Sequence, residues 1–292
     1  MPKIVPLVLV LVVLPLMGCA TQLPFQAGDR AATTAPVSQA RMEALRLVDA
    51  RRFAEAQAML QPLLAANPVD AEVKLALGEC ALGLGKLDDA GPLFASLVND
   101  PALRPRALQG LGITLMHQGD AEGAAGALQQ ATEADPSLWR AWNGLAQAYD
   151  FQHQWDQSRT AYEKALQTAP NTAIIYNNLG MSLLAQDRFD EAIESFGEAR
   201  TADPSLTIVE TNRQLALAMQ QRYPEATFAT APEEKAKLLN NAGYVALMKG
   251  DYDRAERFFV QAAETSPTYY APAHENLEIL KEVRAKAQDK SS

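Results

Sequence analysis

Residues 139–172 read WRAWNGLAQAYDFQHQWDQSRTAYEKALQTAPNT, and the fold of the chain can be predicted from their pattern. Its large and small apolar residues recur at steps of three and four in both halves, which predicts two amphipathic helices. Pro170 predicts the end of the second helix, because proline lacks the amide hydrogen that a continuing helix requires. The residues that carry this pattern are Trp142, Leu145, Tyr149, Tyr162, Ala165 and Pro170.

The same pattern recurs along the chain with a period of 34 residues, as Pro68, Pro136, Pro170 and Pro204 show. A period of this length predicts stacked helix pairs. If repeats begin at Val37, Ala71, Pro105, Trp139 and Ala173, the eighth place is always small: Ala44, Gly78, Gly112, Ala146 and Gly180. The twentieth place is small as well: Ala56, Ala90, Ala124, Ser158 and Ala192. Small residues at both places let the two helix axes of a pair approach closely.

Five units in one register resemble tetratricopeptide repeats (TPRs). The resemblance implies an all-α, right-handed superhelical solenoid of helix-turn-helix repeats that binds protein or peptide segments. It implies no enzymatic activity and no cofactor.

The register breaks after Pro204, because the next clear unit runs from about Ala236 to Pro267. Tyr223-Pro224 replaces much of the second helix between them, since proline disfavours helix at the residue before it. We therefore predict a solenoid over residues 39–288 with about six repeats, one of them degenerate near residues 207–235. A polar helix near residues 270–286 is expected to cap the open end.

The N-terminus differs in character from the repeats. Lys3 precedes the apolar run Ile4–Leu16, and Leu16-Met17-Gly18-Cys19 follows. This order predicts a signal peptide over residues 1–18, although an uncleaved core strand from residue 4 is the alternative. The last four residues resemble the lipobox of bacterial lipoproteins, which implies lipid on Cys19 and a flexible lipidated linker over residues 19–38. By the same resemblance, Ala20 after the cysteine implies the outer membrane, facing the periplasm.

The composition excludes several classes of protein. A net charge of -9 without any block of Lys or Arg argues against a nucleic-acid partner. His117, His153 and His274 show no metal-ligand spacing, and the chain has no nucleophile elbow or phosphate loop, so we predict no metal site and no catalytic residue. Cys80, inside an apolar helical pattern, is predicted to be a buried core thiol.

Ligand-binding residues are predicted on the first helix of each repeat, which lines the concave side of such a stack. Asn143, Asn177 and Asn240 share the fifth place, where an amide can pair with a peptide backbone. The alternative is that these asparagines make hydrogen bonds within the fold. The other residues predicted to line the groove are Gln147, Met181, Leu184, Tyr244 and Leu247.

A lipobox, a short linker and about six repeats resemble the pilotin lipoproteins, which escort secretin subunits to the outer membrane. Asn212-Arg213-Gln214-Leu215 with Asn240-Asn241-Ala242-Gly243-Tyr244 resembles the TadD-type lipoproteins of tight-adherence (Flp) pilus assembly. The resemblance implies a secretin or another pilus component as partner. A scaffold for another envelope process, such as outer-membrane protein or polysaccharide assembly, is the alternative.

Replacing Cys19 with Ser is expected to release the protein from membranes and leave its body folded, because the anchor and the repeats are separate parts of the chain. Fatty-acid labelling followed by fractionation measures both effects. A Ser variant that still takes up label and sediments with the outer membrane would contradict the lipobox assignment.

Overall fold

The computed structural model describes residues 35–229 and 231–289, and over this part of the chain it contains fifteen α-helices and no strand. The all-α fold is thereby confirmed. The helices are α1 Ala35–Asp49, α2 Phe53–Ala66, α3 Ala71–Gly83, α4 Leu87–Ala95, α5 Arg104–Gln118, α6 Ala121–Ala134, α7 Trp139–Phe151, α8 Trp155–Thr168, α9 Ala173–Ala185, α10 Phe189–Ala202, α11 Ile208–Met219, α12 Tyr223–Ala226, α13 Pro232–Met248, α14 Tyr252–Thr265 and α15 Ala271–Asp289.

Two compact units divide the described residues, one ending at Ile175 and the other starting at Tyr176. In the first unit, the odd-numbered helices α1, α3, α5 and α7 each pair with the helix that follows, and successive odd-numbered helices also contact one another. In the second unit, α13 pairs with α14 and contacts α15 in the same way. We call the odd-numbered helices the first helices and their partners the second helices.

Prolines in the sequence determine where most of the second helices end. Helices α2, α6, α8, α10 and α14 each stop two residues before a proline, at Pro68, Pro136, Pro170, Pro204 and Pro267. The residue between helix and proline leaves the helical conformation, as at Asp135, Asp203 and Ser266, whose backbones are extended. A residue before proline avoids helical angles for steric reasons, so the prolines set these boundaries.

The turn between the two helices of a pair also keeps the 34-residue period. Its left-handed residue is Arg51, Gly85, Gly119, His153, Asp187 and Gln221 in six successive pairs. The next such residue, Gly250, follows Gln221 by only 29 positions. The degenerate pair α11–α12 therefore keeps the 34-residue register through its turn. The residues that it lacks relative to a full repeat are missing from the four-residue second helix α12 and from its link to α13.

This placement refines the predicted boundaries. The described residues form seven helix pairs followed by α15, whereas the repeat alignment predicts about six. Helix α1 starts at Ala35, inside the stretch 19–38 that was predicted to be a flexible linker. Residues 1–34, with the predicted signal peptide and Cys19, lie outside the described residues.

Four of the pairs, α3–α4, α5–α6, α9–α10 and α13–α14, are held at close range by a glycine on the first helix that faces a large residue on the second. A Cβ atom on Gly180 would lie only 2.6 Å from the Phe196 ring, and one on Gly112 would lie 2.5 Å from Leu128. Phe196 and Leu128 are fully buried. The absence of a side chain is thus required at these two glycines, because the large residue opposite occupies its space.

Gly180→Leu is expected to lower the free energy of unfolding by about 1–3 kcal/mol or more, because the new side chain must displace Phe196. Gly197 on α10 is the matched control, since a Cβ atom there meets nothing within 4 Å. Gly197→Leu should leave stability unchanged or raise it by up to about 1 kcal/mol through helix propensity. Urea unfolding measures both, and equal effects of the two variants would refute the close contact.

Candidate peptide-binding face

The three asparagines predicted to contact a ligand are buried. Asn143, Asn177 and Asn240 expose 0, 1 and 9% of their surface. In the second unit, the amide nitrogen of Asn212 donates to the side-chain oxygen of Asn177 at 2.9 Å. Asn276 donates to Asn240 in the same way, also at 2.9 Å. These bonds join one first helix to the next.

Such bonds are what the alternative interpretation of the asparagines predicts, since buried amides stabilise a fold when their polar atoms are paired. The burial of the remaining predicted groove residues also favours a structural role. Met181 and Leu184 belong to a buried apolar cluster with Phe196, and Gln147 is 4% exposed. Tyr244 and Leu247 are half-buried against the cluster around Phe259. Contact with a ligand at these eight positions stays a prediction.

Charged residues that the sequence analysis did not single out gather on the first helices of the first unit. The Arg106 guanidinium on α5 donates to the Glu79 carboxylate on α3 at 2.8 Å. Attraction to Glu79 raises the pKa of Arg106, with smaller contributions from Glu72 and Asp49. Burial, reinforced by Glu79, raises the pKa of Asp49 at the end of α1. We call this surface of α1, α3, α5 and α7 the first-helix face.

Arg140 on α7 is a cation of this face without an ion-pair partner among the described residues. Its guanidinium carbon lies 5.0 Å from the Trp139 ring centroid, and its Nε is buried without a hydrogen bond. Burial lowers the pKa of Arg140, and repulsion from Arg106 lowers it further, against the opposing attraction of Glu79 and Asp49. Among the described residues it forms no ion pair, whereas Arg106 has Glu79.

An unpaired, partly desolvated guanidinium is a site that favours an acceptor. Its planar set of N–H donors matches a carboxylate, and the bond is stronger where water is excluded. The geometry of the first-helix face therefore suits a segment that brings a carboxylate to Arg140. Sequence could have indicated this face, since Arg106 and Arg140 both occupy the second place of their repeats.

The described part of the chain holds no cluster of three or more His, Cys, Asp or Glu side chains that could bind a metal ion. Cys80 is fully buried, and burial raises the pKa of its thiol to about 12, which suppresses the reactive thiolate. No helix among the described residues has both the length and the apolar character to cross a bilayer.

A stack of helix pairs with polar side chains along its first helices is typical of repeat scaffolds that bind other proteins. Models of the tetratricopeptide repeat match residues 41–107, 110–152, 139–205 and 236–269. The chain belongs to the TPR family. TPR proteins are generally scaffolds without enzymatic activity.

Solved structures agree on the fold. A TPR protein from Thermus thermophilus is 19% identical with a TM-score of 0.55, covering 62% of this chain and 98% of that one. A TPR protein from Parabacteroides merdae is 17% identical with a TM-score of 0.56, covering 84% and 98%. The C-terminal part of a TPR protein from Cytophaga hutchinsonii is 18% identical with a TM-score of 0.53, covering 81% and 99%. No curated protein sequence matches significantly.

The bond between Asn240 and Asn276 offers a direct test of the structural role. We expect Asn240→Ala and Asn276→Ala each to destabilise the fold, and the double variant to lose less than the sum. A double-mutant cycle of unfolding free energies should give a coupling of about 1 kcal/mol. Strict additivity would exclude the bond as a contributor to stability.

Proposed function

We propose that this TPR protein is a membrane-anchored scaffold whose first-helix face binds a carboxylate-bearing segment of a partner protein. The observation that carries the proposal is Arg140, a cation without an ion-pair partner among the described residues. Leaving a guanidinium partly buried and unpaired costs stability. A ligand carboxylate would recover that cost on binding, so the site is prepared for an acidic group.

The surroundings of Arg140 favour a defined orientation of that segment. Glu79 is neutralised by Arg106 at 2.8 Å, which reduces its repulsion of an incoming carboxylate. Trp139 lies beside the guanidinium and limits its rotation and hydration. The incoming group therefore meets a cation that is already positioned, which lowers the entropic cost of binding.

For the cellular role we propose a pilotin-like lipoprotein that aids assembly of an outer-membrane secretin for tight-adherence (Flp) pili. The support is in the sequence, namely the lipobox ending at Cys19 and the TadD-like segments around Asn212 and Asn240. Lipid on Cys19 would hold the scaffold at the membrane where the secretin inserts. Confining both partners to one surface raises their effective concentration, so a modest affinity suffices.

Arg140→Met should weaken partner binding at least about tenfold, because the carboxylate loses the unpaired guanidinium that it is proposed to meet. The same change should leave the melting temperature unchanged or raise it, since a desolvated charge is replaced by an apolar side chain. The measurement is quantitative capture of partners from detergent-solubilised envelope by the full-length protein, next to thermal melts by circular dichroism.

Arg159→Met is the matched control, because Arg159 is exposed on α8 and, among the described residues, pairs only with Asp156 of its own helix. It should capture the same partners as the parent protein. Loss of a secretin from the Arg140 variant alone would support both parts of the proposal. Undiminished capture by a folded Arg140→Met variant would exclude the first-helix face. Specific capture of other envelope proteins would reject the pilotin role.

A further inference from the structure

The second helix α12 is much shorter than the others. It comprises the four residues Tyr223–Ala226, whereas α10 and α14 in the same unit have 14 residues each. Its turn is in register at Gln221, so the helix starts at its regular place and stops early. About ten residues of helix are missing after Ala226, which corresponds to roughly 15 Å along the helix axis.

A surface pocket of about 480 Å³ lies beside this truncated helix. Tyr223 and Thr227 line it on one side, and Arg254, Arg257, Phe258 and Gln261 of α14 line it on the other. The Tyr223 and Phe258 rings pack with their centroids 5.0 Å apart. Phe228, directly after Thr227, is 75% exposed. The exposed Phe228 and the half-buried Phe258 thus provide apolar surface beside the truncated helix, whereas Tyr223 is buried beneath it.

The charges of the pocket are of one sign, although the whole chain is acidic. Its lining contains two arginines and no Asp or Glu. Arg254 already has partners, since its guanidinium forms an ion pair with Asp251 at 3.3 Å and lies over the Tyr223 ring. Arg257 is exposed and forms no ion pair within the part of the chain that the structure describes. It is therefore the cation that a bound acidic group would meet.

We propose that this pocket docks an acidic amphipathic helix of a partner protein, which takes the place of the missing part of α12. The apolar side of that helix would contact Phe258 and Phe228, and its carboxylates would pair with Arg257. Apolar contacts and complementary charge are the two ingredients by which a groove selects a helix. This surface lies in the second unit and is independent of Arg140.

A second helix of the chain itself supplies a suitable probe. The α10 sequence, residues 189–202, is amphipathic and carries four carboxylates against one arginine. We would titrate the full chain with this peptide, labelled and capped at both ends, and with a version in which all four carboxylates are replaced by amides. We expect the acidic peptide to bind about tenfold more tightly than the amide peptide.

Arg257→Glu should weaken binding of the acidic peptide about tenfold and bring it to the level of the amide peptide. Lys164→Glu is the matched control, since it makes the same charge change at an exposed site of a second helix in the first unit and should have no effect. Circular dichroism verifies that both variants fold. Equal affinity for the two peptides, lack of saturable binding, or an unaffected Arg257→Glu variant would overturn the proposal. Loss of binding in Arg140→Met but not in Arg257→Glu would also overturn it, because the peptide would then occupy the first-helix face.

Discussion

The close contact between a glycine on a first helix and a large buried residue on its second helix is the constraint on which the rest depends. It recurs as Gly78 with Phe94, Gly112 with Leu128, Gly180 with Phe196 and Gly243 with Phe259. Each contact sets the distance between two helix axes, and the proline after the second helix then turns the chain into the next pair. Repetition of this local solution, every 34 residues until the period shortens after Gln221, therefore builds the helix pairs without long-range strand pairing.

Much of this architecture could be predicted from the sequence, because glycine, alanine and proline act locally. The positions of the turns within the repeats could not be predicted in this way. Of the six left-handed turn residues in register from Arg51 to Gln221, only Gly85 and Gly119 are glycines, and the others are Arg, His, Asp and Gln. The residue type at position 221 therefore did not indicate the turn at Gln221. The repeat alignment consequently predicted only a degenerate repeat in this region. The structure has a complete first helix and turn there, followed by the short helix α12.

The site was harder to predict, because exposure depends on the neighbouring helix and not on the place within a repeat. The partners of Asn177 and Asn240 lie 35 and 36 residues further along, at Asn212 and Asn276. Neither spacing matches the 34-residue period, so periodicity alone could not reveal the pairs. Conversely, Arg106 and Arg140 occupy the same place in successive repeats, yet only Arg106 meets a carboxylate at hydrogen-bonding distance. Equal positions in a repeat can therefore differ in chemistry.

A regular repeat satisfies its own surfaces where a buried amide or an apolar face meets its counterpart in the next pair, as Asn177 meets Asn212. Departures from regularity leave groups that the fold does not satisfy. In the first unit, the irregular feature is the unpaired charge of Arg140. In the second unit, it is the short helix α12. The unpaired charge of Arg140 carries a cost in stability that an apolar residue would avoid. Unsatisfied groups in an otherwise consistent fold are where function is expected, because binding can then supply what folding leaves out.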